Sequence, residues 1–268
     1  MKKILAVLTV LALMLAALPA LAEETGSLSY AEEHPGAAAF SSMWAGSDGE
    51  TWIEASCLDD RFEVLIIRVK DEKTFTSWEY LPDYDDATDT LRAEGGMKSE
   101  NVAGEGNYIA DSVYTYDDGS AVFSINADGQ LVWQDAKEDA GAGLTFTRIG
   151  WFIGDYACGR ANVHIRWTGE RYAVDAEWGN SAADTSMWQM GGDYDPEGDR
   201  LPVQGFTWHQ ITDGNGEVDQ TADRQETETS AEFTFDGEGH LIWTSPDGVA
   251  DGLLFENLQT AIWILARG

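Results

Sequence analysis

The stretch ANVHIRWTGERYAVDAEW, residues 161–178, decides the fold class of this chain. Apolar side chains alternate with polar ones before the Thr168-Gly169-Glu170 turn, and the alternation resumes after it. A period of two places the apolar side chains on one face of a strand, and a short glycine turn brings the chain back antiparallel. We therefore predict a β-hairpin with one face in a core and the other in water.

The same pattern occurs in both halves of the chain. Trp188 lies 110 positions after Trp78, and nineteen identical pairs keep this offset between residues 61–144 and their counterparts. They include Asp83/Asp193, Tyr84/Tyr194, Gly95/Gly205, Ser120/Ser230, Ala121/Ala231, Phe123/Phe233, Gly129/Gly239 and Trp133/Trp243. The repeat predicts an all-β chain of two tandem homologous antiparallel domains, residues 40–149 and 150–268. Short, regularly spaced strands favour small up-and-down barrels or sandwiches, with an up-and-down order expected first.

The first 22 residues have the three parts of a secretory signal peptide. Lys2 and Lys3 precede an uncharged apolar run over residues 4–18, and Ala20-Leu21-Ala22 provides a small-residue cleavage site. A membrane anchor is the alternative, but the run is shorter than the ~20 residues that span a bilayer. We expect a protein that is secreted, extracellular or in the cell envelope. Residues 23–39 are rich in Glu, Pro, Gly and Ala, which predicts a flexible N-terminal segment.

The chain is strongly acidic, with 16 Lys and Arg against 48 Asp and Glu and a formal net charge of −32. Phosphate groups repel such a chain, so neither nucleic acid nor an anionic membrane is expected as a partner. Disorder is the alternative explanation of this acidity, but aromatic residues make up 11% of the chain. That much apolar surface favours folded domains with the acidic residues outside.

The second copy resembles a module of uncharacterised secreted proteins of anaerobic Gram-positive bacteria. The resemblance is carried by GDYACGRANVHI at residues 154–165, YAV at 172–174, WGNSAA at 178–183, Trp188, and DYD at 193–195. The first copy departs from it at residues 48–50 and 71–73. The resemblance implies secretion and a β module, and it implies no catalytic residue. At fold level the chain is also similar to lipocalin-like and streptavidin-like barrels, which is an analogy only.

Catalytic and cofactor motifs do not stand out in the sequence. The four histidines, His34, His164, His209 and His240, have no histidine at the equivalent position of the other copy. No Gly-x-Ser-x-Gly elbow, His-x-x-x-His pair or phosphate-binding glycine loop accompanies them. We therefore predict a protein that is not an enzyme and needs no cofactor. A site assembled from distant strands would leave a hydrolase as the alternative.

The acidic loop at residues 193–199 resembles a calcium loop, because oxygen-bearing side chains alternate and a glycine follows them. The twelfth position of such a loop would be Gln204, where calcium requires a bidentate glutamate. The equivalent residues 83–89 also lack the glycine. We expect a solvated turn between two strands and no metal, with calcium as the alternative.

The two cysteines invite a disulfide in an extracellular protein. Each copy contains only one of them, Cys57 on the predicted inner face and Cys158 before the first strand of the second copy. A bridge would have to join the two domains, and Cys57 is badly placed for that. We expect unpaired or buried thiols, with the disulfide as the alternative.

The repeated pair Trp78 and Trp188 has two interpretations. Repeated aromatic residues usually belong to a core, but an exposed pair could stack on sugar rings or line a barrel mouth. On the second interpretation, the protein is a non-catalytic binding module for a small ligand or glycan. An acidic protein that binds or inhibits another extracellular protein is the alternative, and an extracellular hydrolase is the third. The ligand or partner itself cannot be named from the sequence.

The outer face of the first predicted hairpin carries four large apolar side chains. They are Trp52, Leu65, Ile67 and Val69, and the last three correspond to Asp175, Glu177 and Gly179 in the second copy. An exposed patch of this kind marks an interface. We predict that the other domain, the N-terminal segment or a partner chain covers it, with a long loop of the same domain as the alternative.

Overall fold

The computed structural model describes residues 29–104, 109–212, 218 and 225–259. The first domain contains helix α1 (Tyr30–Glu33), a 3-10 helix (Pro35–Phe40) and strands β1 (Ser42–Gly46), β2 (Thr51–Cys57), β3 (Phe62–Val69), β4 (Thr74–Tyr80), β5 (Asp83–Asp85), β6 (Thr90–Ala103), β7 (Ile109–Ile125), β8 (Leu131–Asp135) and β9 (Phe146–Arg148). The second contains β10 (Gly154–Cys158), β11 (Ala161–Trp167), β12 (Tyr172–Gly179), β13 (Asp184–Gly192), β14 (Leu201–Ile211), β15 (Thr227–Phe235), β16 (Leu241–Thr244) and β17 (Leu254–Gln259).

Each domain is a ring of antiparallel strands. In the second domain, β10 to β17 pair in chain order and form a closed barrel, because β17 also pairs with β10. In the first domain, β1 to β4 pair in order, β4 pairs with β6, and β6 to β9 lead back to β1. Strand β5 is a short addition on β6. The predicted all-β class and up-and-down order are confirmed. Among the described residues, no helix has the length and apolarity needed to cross a bilayer.

The hairpin that decided the fold class is β11 and β12. Val163 lies opposite Ala176, and Ile165 lies opposite Val174. All four side chains are buried, whereas the residues between them are at least partly exposed. The alternation in the sequence therefore corresponds to one face in the barrel and one face outside, as predicted.

Both barrels are filled by their own side chains. The largest fully buried residues are Trp44, Phe62, Phe123, Trp133 and Phe146 in the first domain, and Tyr156, Tyr172, Phe233, Trp243 and Phe255 in the second. Each core contains an edge-to-face tryptophan pair at the same place. The ring centroids of Trp78 and Trp133 lie 5.2 Å apart, and those of Trp188 and Trp243 lie 5.1 Å apart. The two cores therefore have the same tryptophan packing at positions that correspond in the sequence.

The two barrels differ by a one-residue shift in strand pairing. A register shift interrupts β6 between Glu94 and Gly96, and Gly95 adopts a φ of 78° there. Beyond it, Trp78 on β4 lies opposite Lys98. A β-bulge of this kind turns the following side chains to the other face of the sheet.

Each barrel is preceded by a short segment that packs against its core. Trp44 donates a hydrogen bond from Nε1 to the Phe40 carbonyl oxygen at 3.0 Å. Tyr156 makes the same bond from its hydroxyl to the Phe152 carbonyl oxygen at 3.1 Å. Phe40 and Phe152 are both fully buried. These two segments are equivalent, and each ends at the first strand of its barrel.

The first segment differs from the flexible N-terminal segment predicted for residues 23–39. Residues 30–40 form α1 and the 3-10 helix, and Tyr30, Ala37 and Phe40 are buried in the first core. The Tyr30 hydroxyl also accepts a hydrogen bond from the Tyr84 amide at 2.7 Å. The composition predicted flexibility because Glu, Pro, Gly and Ala dominate the segment, and the few core residues do not change that average. The predicted signal peptide, residues 1–22, and residues 23–28 lie outside the described residues.

The apolar outer face of the first hairpin is covered from two sides. Leu65 and Ile67 are 8% and 4% exposed, and Val69, Ala103 and Ile109 pack beside them, so the cover is the β6–β7 hairpin of the same domain. Trp52 packs instead against the core of the second domain, together with Met43 and Ala45 of β1. The prediction that the other domain, the N-terminal segment or a partner chain covers this face is therefore wrong for Leu65, Ile67 and Val69, which the same domain covers, as in the alternative. The sequence did not show how far β6 and β7 extend.

The acidic loop at residues 193–199 is a hydrogen-bonded turn. One carboxylate oxygen of Asp195 accepts bonds from the amides of Glu197 and Gly198, and the other binds Arg200 at 2.8 Å. The Arg200 bond also lowers the pKa of Asp195. Asp85 binds Arg92 and caps the equivalent turn of the first domain in the same way. Both carboxylate oxygens of Asp195 are thus used by the turn itself.

The two cysteines are unpaired and partly buried. Cys57 packs beside the first core, and Cys158 packs beside the second. No disulfide joins the domains.

Candidate functional site

The repeated tryptophans lie inside the barrels. Trp78 is 2% exposed and Trp188 is 5% exposed, and each packs on a second tryptophan of its own core. Neither side chain offers a face to a ligand in this structure. Trp78 and Trp188 could bind a ligand only if their side chains left the core.

A groove on the outside of each barrel is the better candidate. The larger groove, about 710 Å³, is lined by residues 202–204, 230–232 and 244–246, together with Arg171, Gly191, Gly192 and Asp193. The smaller groove, about 260 Å³, is lined by residues 92–94, 120–122 and 134–136. Every position of the smaller groove is 110 residues before a position of the larger one. Both domains therefore have a groove at the same place.

Three neighbouring strands build each groove. In the second domain, Gln204 of β14 lies opposite Ser230 of β15, and Glu232 lies opposite Thr244 of β16. These side chains are exposed or partly exposed, whereas Val203, the residue before Gln204 on β14, is buried. The groove thus lies on the outer face of the sheet, where the small Ser230 side chain leaves room between longer neighbours.

The serine at the centre and the residue after it are identical in the two domains. Ser120 lies opposite Glu94, just as Ser230 lies opposite Gln204. Ala121 and Ala231 follow these serines and are buried. Both identical pairs are visible in the sequence, but serine and alanine are common on ordinary strands and do not by themselves mark a site.

The lining of the larger groove includes two glycines that have no counterpart in the lining of the smaller one. They are Gly191 and Gly192. Their counterparts in the sequence are Leu81 and Pro82, and Leu81 is 64% exposed. The glycines therefore extend the groove of the second domain beyond that of the first.

The lining of the larger groove is polar. It offers the Gln204 amide, the hydroxyls of Ser230 and Thr244, and the charged groups of Arg171 and Asp193. Among the described residues, no aromatic residue and no histidine lines either groove. Such a surface can form hydrogen bonds with a hydrophilic molecule.

All four histidines lie elsewhere, and each one contacts an aspartate through Nδ1. The pairs are His34 with Asp86 at 2.9 Å, His164 with Asp155 at 2.7 Å, His209 with Asp184 at 2.9 Å and His240 with Asp236 at 2.9 Å. Because the chain is so acidic, such pairs form readily and do not by themselves indicate catalysis.

His209 alone has a serine opposite it, Ser186. The Ser186 hydroxyl accepts a hydrogen bond from the Asn180 amide at 2.8 Å, and the His209 side chain is 65% exposed. In the part of the chain that the structure describes, no hydrogen bond joins His209 to Ser186. The geometry that activates a serine nucleophile is therefore not formed.

Comparison of the chain with protein-family models, with curated proteins and with solved structures found no match. Equivalent positions of the two domains therefore provide the evidence on function.

Proposed function

We propose that this chain is a secreted, non-catalytic binding protein whose domains each hold a hydrophilic ligand, such as a glycan segment, in the outer groove. The observation that carries the proposal is the presence of a groove at equivalent positions of both barrels. A groove formed by chance packing would not be expected to recur at the same nine positions.

The character of the lining supports a hydrophilic ligand. An apolar ligand of the lipocalin kind needs a barrel interior, and both interiors here are occupied by large side chains. The grooves instead offer amide, hydroxyl and charged groups, which match the donors and acceptors of sugar hydroxyls. At about 710 Å³, the larger groove has the size of a typical small-ligand site.

The two sites are expected to differ in affinity. The first groove is only about 260 Å³, and Leu81 and Pro82 occupy the positions that correspond to Gly191 and Gly192 of the second groove. We expect the second domain to be the stronger site. A polymeric ligand that reaches both grooves would bind more tightly than either site alone allows.

The test is a titration of the full chain with soluble oligosaccharides, followed by amide chemical shifts and calorimetry. Ser230→Trp should fill the larger groove and lower the affinity at least tenfold. Thr234→Trp is the matched control, since Thr234 lies on the same strand, is also partly exposed and does not line the groove. Equal affinity of the two variants, or shifts that fall outside both grooves, would refute the proposal.

The net charge of −32 supports a second candidate function, binding of a basic protein. Such binding would weaken steeply as salt rises, because it depends on charge attraction. Titration with poly-L-lysine at about 0.05 and 0.5 M salt separates the two candidates. A strongly salt-dependent complex that Ser230→Trp leaves unchanged would favour the acidic interaction protein.

A further inference from the structure

The turn between β15 and β16 brings together three side chains that can bind a metal ion. Asp236, Glu238 and His240 each offer one ligand atom, and these atoms all lie within 4.8 Å of one another. His240 Nδ1 is 2.9 Å from one Asp236 carboxylate oxygen and 3.9 Å from a Glu238 oxygen. Ligand atoms around a tetrahedral zinc ion are about 3.3 Å apart, so small side-chain rotations would complete such an arrangement.

The turn does not need these groups in order to fold. Asp236 caps it through its other carboxylate oxygen, Oδ1, which accepts bonds from the amides of Glu238 and His240. In the first domain, Asn126 caps the equivalent turn in the same way, with bonds from Asp128 and Gln130. An uncharged amide is thus sufficient for the turn. The second carboxylate oxygen of Asp236 instead contacts the His240 ring at 2.9 Å, where the first domain has a longer amide contact, 3.4 Å, between Asn126 and Gln130.

A third carboxylate-bearing residue lies beside the cluster. Leu241 pairs with Phe255 across β16 and β17, so the next position places Glu256 opposite His240. Among the described residues, no lysine or arginine forms an ion pair with these three carboxylates. One imidazole is therefore surrounded by acidic groups whose repulsion a cation would relieve.

We propose that the β15–β16 turn of the second domain binds a divalent transition-metal ion, Zn²⁺ being the probe of choice, through Asp236, Glu238 and His240. Glu256 is placed to serve as a further oxygen ligand. A site with one imidazole and carboxylates suits zinc, copper or nickel better than magnesium or calcium, which prefer oxygen ligands alone. The first domain has no such site, because Asn126 and Gln130 replace Asp236 and His240.

The experiment is a calorimetric and NMR titration of the chelator-treated full chain with ZnCl₂. We expect one ion per chain at micromolar affinity, with the largest shifts at the amides of residues 236–240. The double variant Asp236→Asn with His240→Gln gives this turn the residues that the first domain has at the equivalent positions, Asn126 and Gln130. It should therefore keep the fold and weaken zinc binding at least tenfold. His209→Gln is the control, since it removes a different exposed histidine–aspartate pair.

Three outcomes would overturn the proposal. They are equal zinc affinity in the double variant and the natural chain, loss of binding in His209→Gln, and binding of Ca²⁺ or Mg²⁺ as tight as that of Zn²⁺. The inference is independent of the grooves, because Asp236, Glu238 and His240 do not line either one.

Discussion

Trp78 lies directly opposite Lys98 across β4 and β6, and the Lys98 ammonium stands 5.3 Å from the Trp78 ring centroid. In the second domain, Trp188 lies opposite Thr207 instead, and Trp208, the sequence counterpart of Lys98, faces the other side of β14. The difference arises at Gly95, where the first domain has a bulge that the second does not share. The bulge therefore places Lys98 opposite Trp78 in the first barrel. The second barrel lacks the bulge, and Thr207 lies opposite Trp188 there.

Replacement of Gly95 by Ala should destabilise the first domain. Gly95 has a φ of 78°, which an L-residue with a Cβ adopts at a cost of about 1–2 kcal/mol. Urea unfolding followed by tryptophan fluorescence would measure the loss. Gly237→Ala is the control, because a Cβ there meets no atom within 4 Å and the backbone is not left-handed. Equal stability of the two variants would mean that the bulge can be removed without strain.

Stability should fall as pH rises from about 4.5 to 7, because of Glu54. Burial, and then the nearby charge of Glu63, raise the pKa of Glu54 to about 7. The folded chain therefore holds a proton that the unfolded chain has lost, and ionisation above this range costs up to about 3 kcal/mol.

Glu54→Gln removes this titration, so the variant should be more stable than the natural chain at pH 8.5 and similar to it at pH 4.5. The measurement is urea unfolding at both pH values. Glu72→Gln, in the exposed β3–β4 turn, is the control and should follow the natural chain. If Glu54→Gln loses stability at pH 8.5, the carboxylate must have a stabilising partner when ionised.

Ile67→Asp should destabilise the first domain itself. Ile67 is 4% exposed and packs under the β6–β7 hairpin, so an aspartate there would be buried without a partner, at a cost of several kcal/mol. Thermal unfolding should show the loss. The comparison is Leu81→Asp, since Leu81 is 64% exposed and its replacement should change stability by less than about 0.5 kcal/mol. A stable Ile67→Asp monomer would show that the hairpin is not the cover.

The two domains should unfold together. Met43 and Ala45 belong to the first strand of the first barrel but are buried in the core cluster of the second domain. Ala45→Asp should separate the single calorimetric transition into two, because it places a charge in that contact. Two transitions already present in the natural chain would show that the contact contributes little.

Much of the fold could be predicted because strands leave a simple pattern in the sequence. The alternation in residues 161–178 and the identical pairs around Trp133 and Trp243 predicted hairpins, two domains and the up-and-down order. The bulge was hidden because Gly95 and Gly205 are identical, although only Gly95 has a positive φ. Two identical glycines in the sequence therefore do not reveal a one-residue change in strand pairing.

The candidate site could not be predicted for a different reason. Its lining consists of small and polar residues around Ser120 and Ser230, and such residues also occupy ordinary surfaces. The turn at Asp236 and His240 was visible only as a turn, because the short distance between the side chains depends on the conformation. Each feature becomes informative only when equivalent positions of the two folded domains are compared.

The Phe40 and Phe152 segments also bear on the order in which the barrels are completed. Each segment and the first strand of its barrel leave the ribosome before the other strands, and the last strand closes the ring by pairing with that first strand. Closure of the second barrel must therefore wait until β17 emerges, whereas the first barrel can close about a hundred residues earlier. A chain cut short before Leu254 would carry one finished barrel and one open sheet with two unpaired edges.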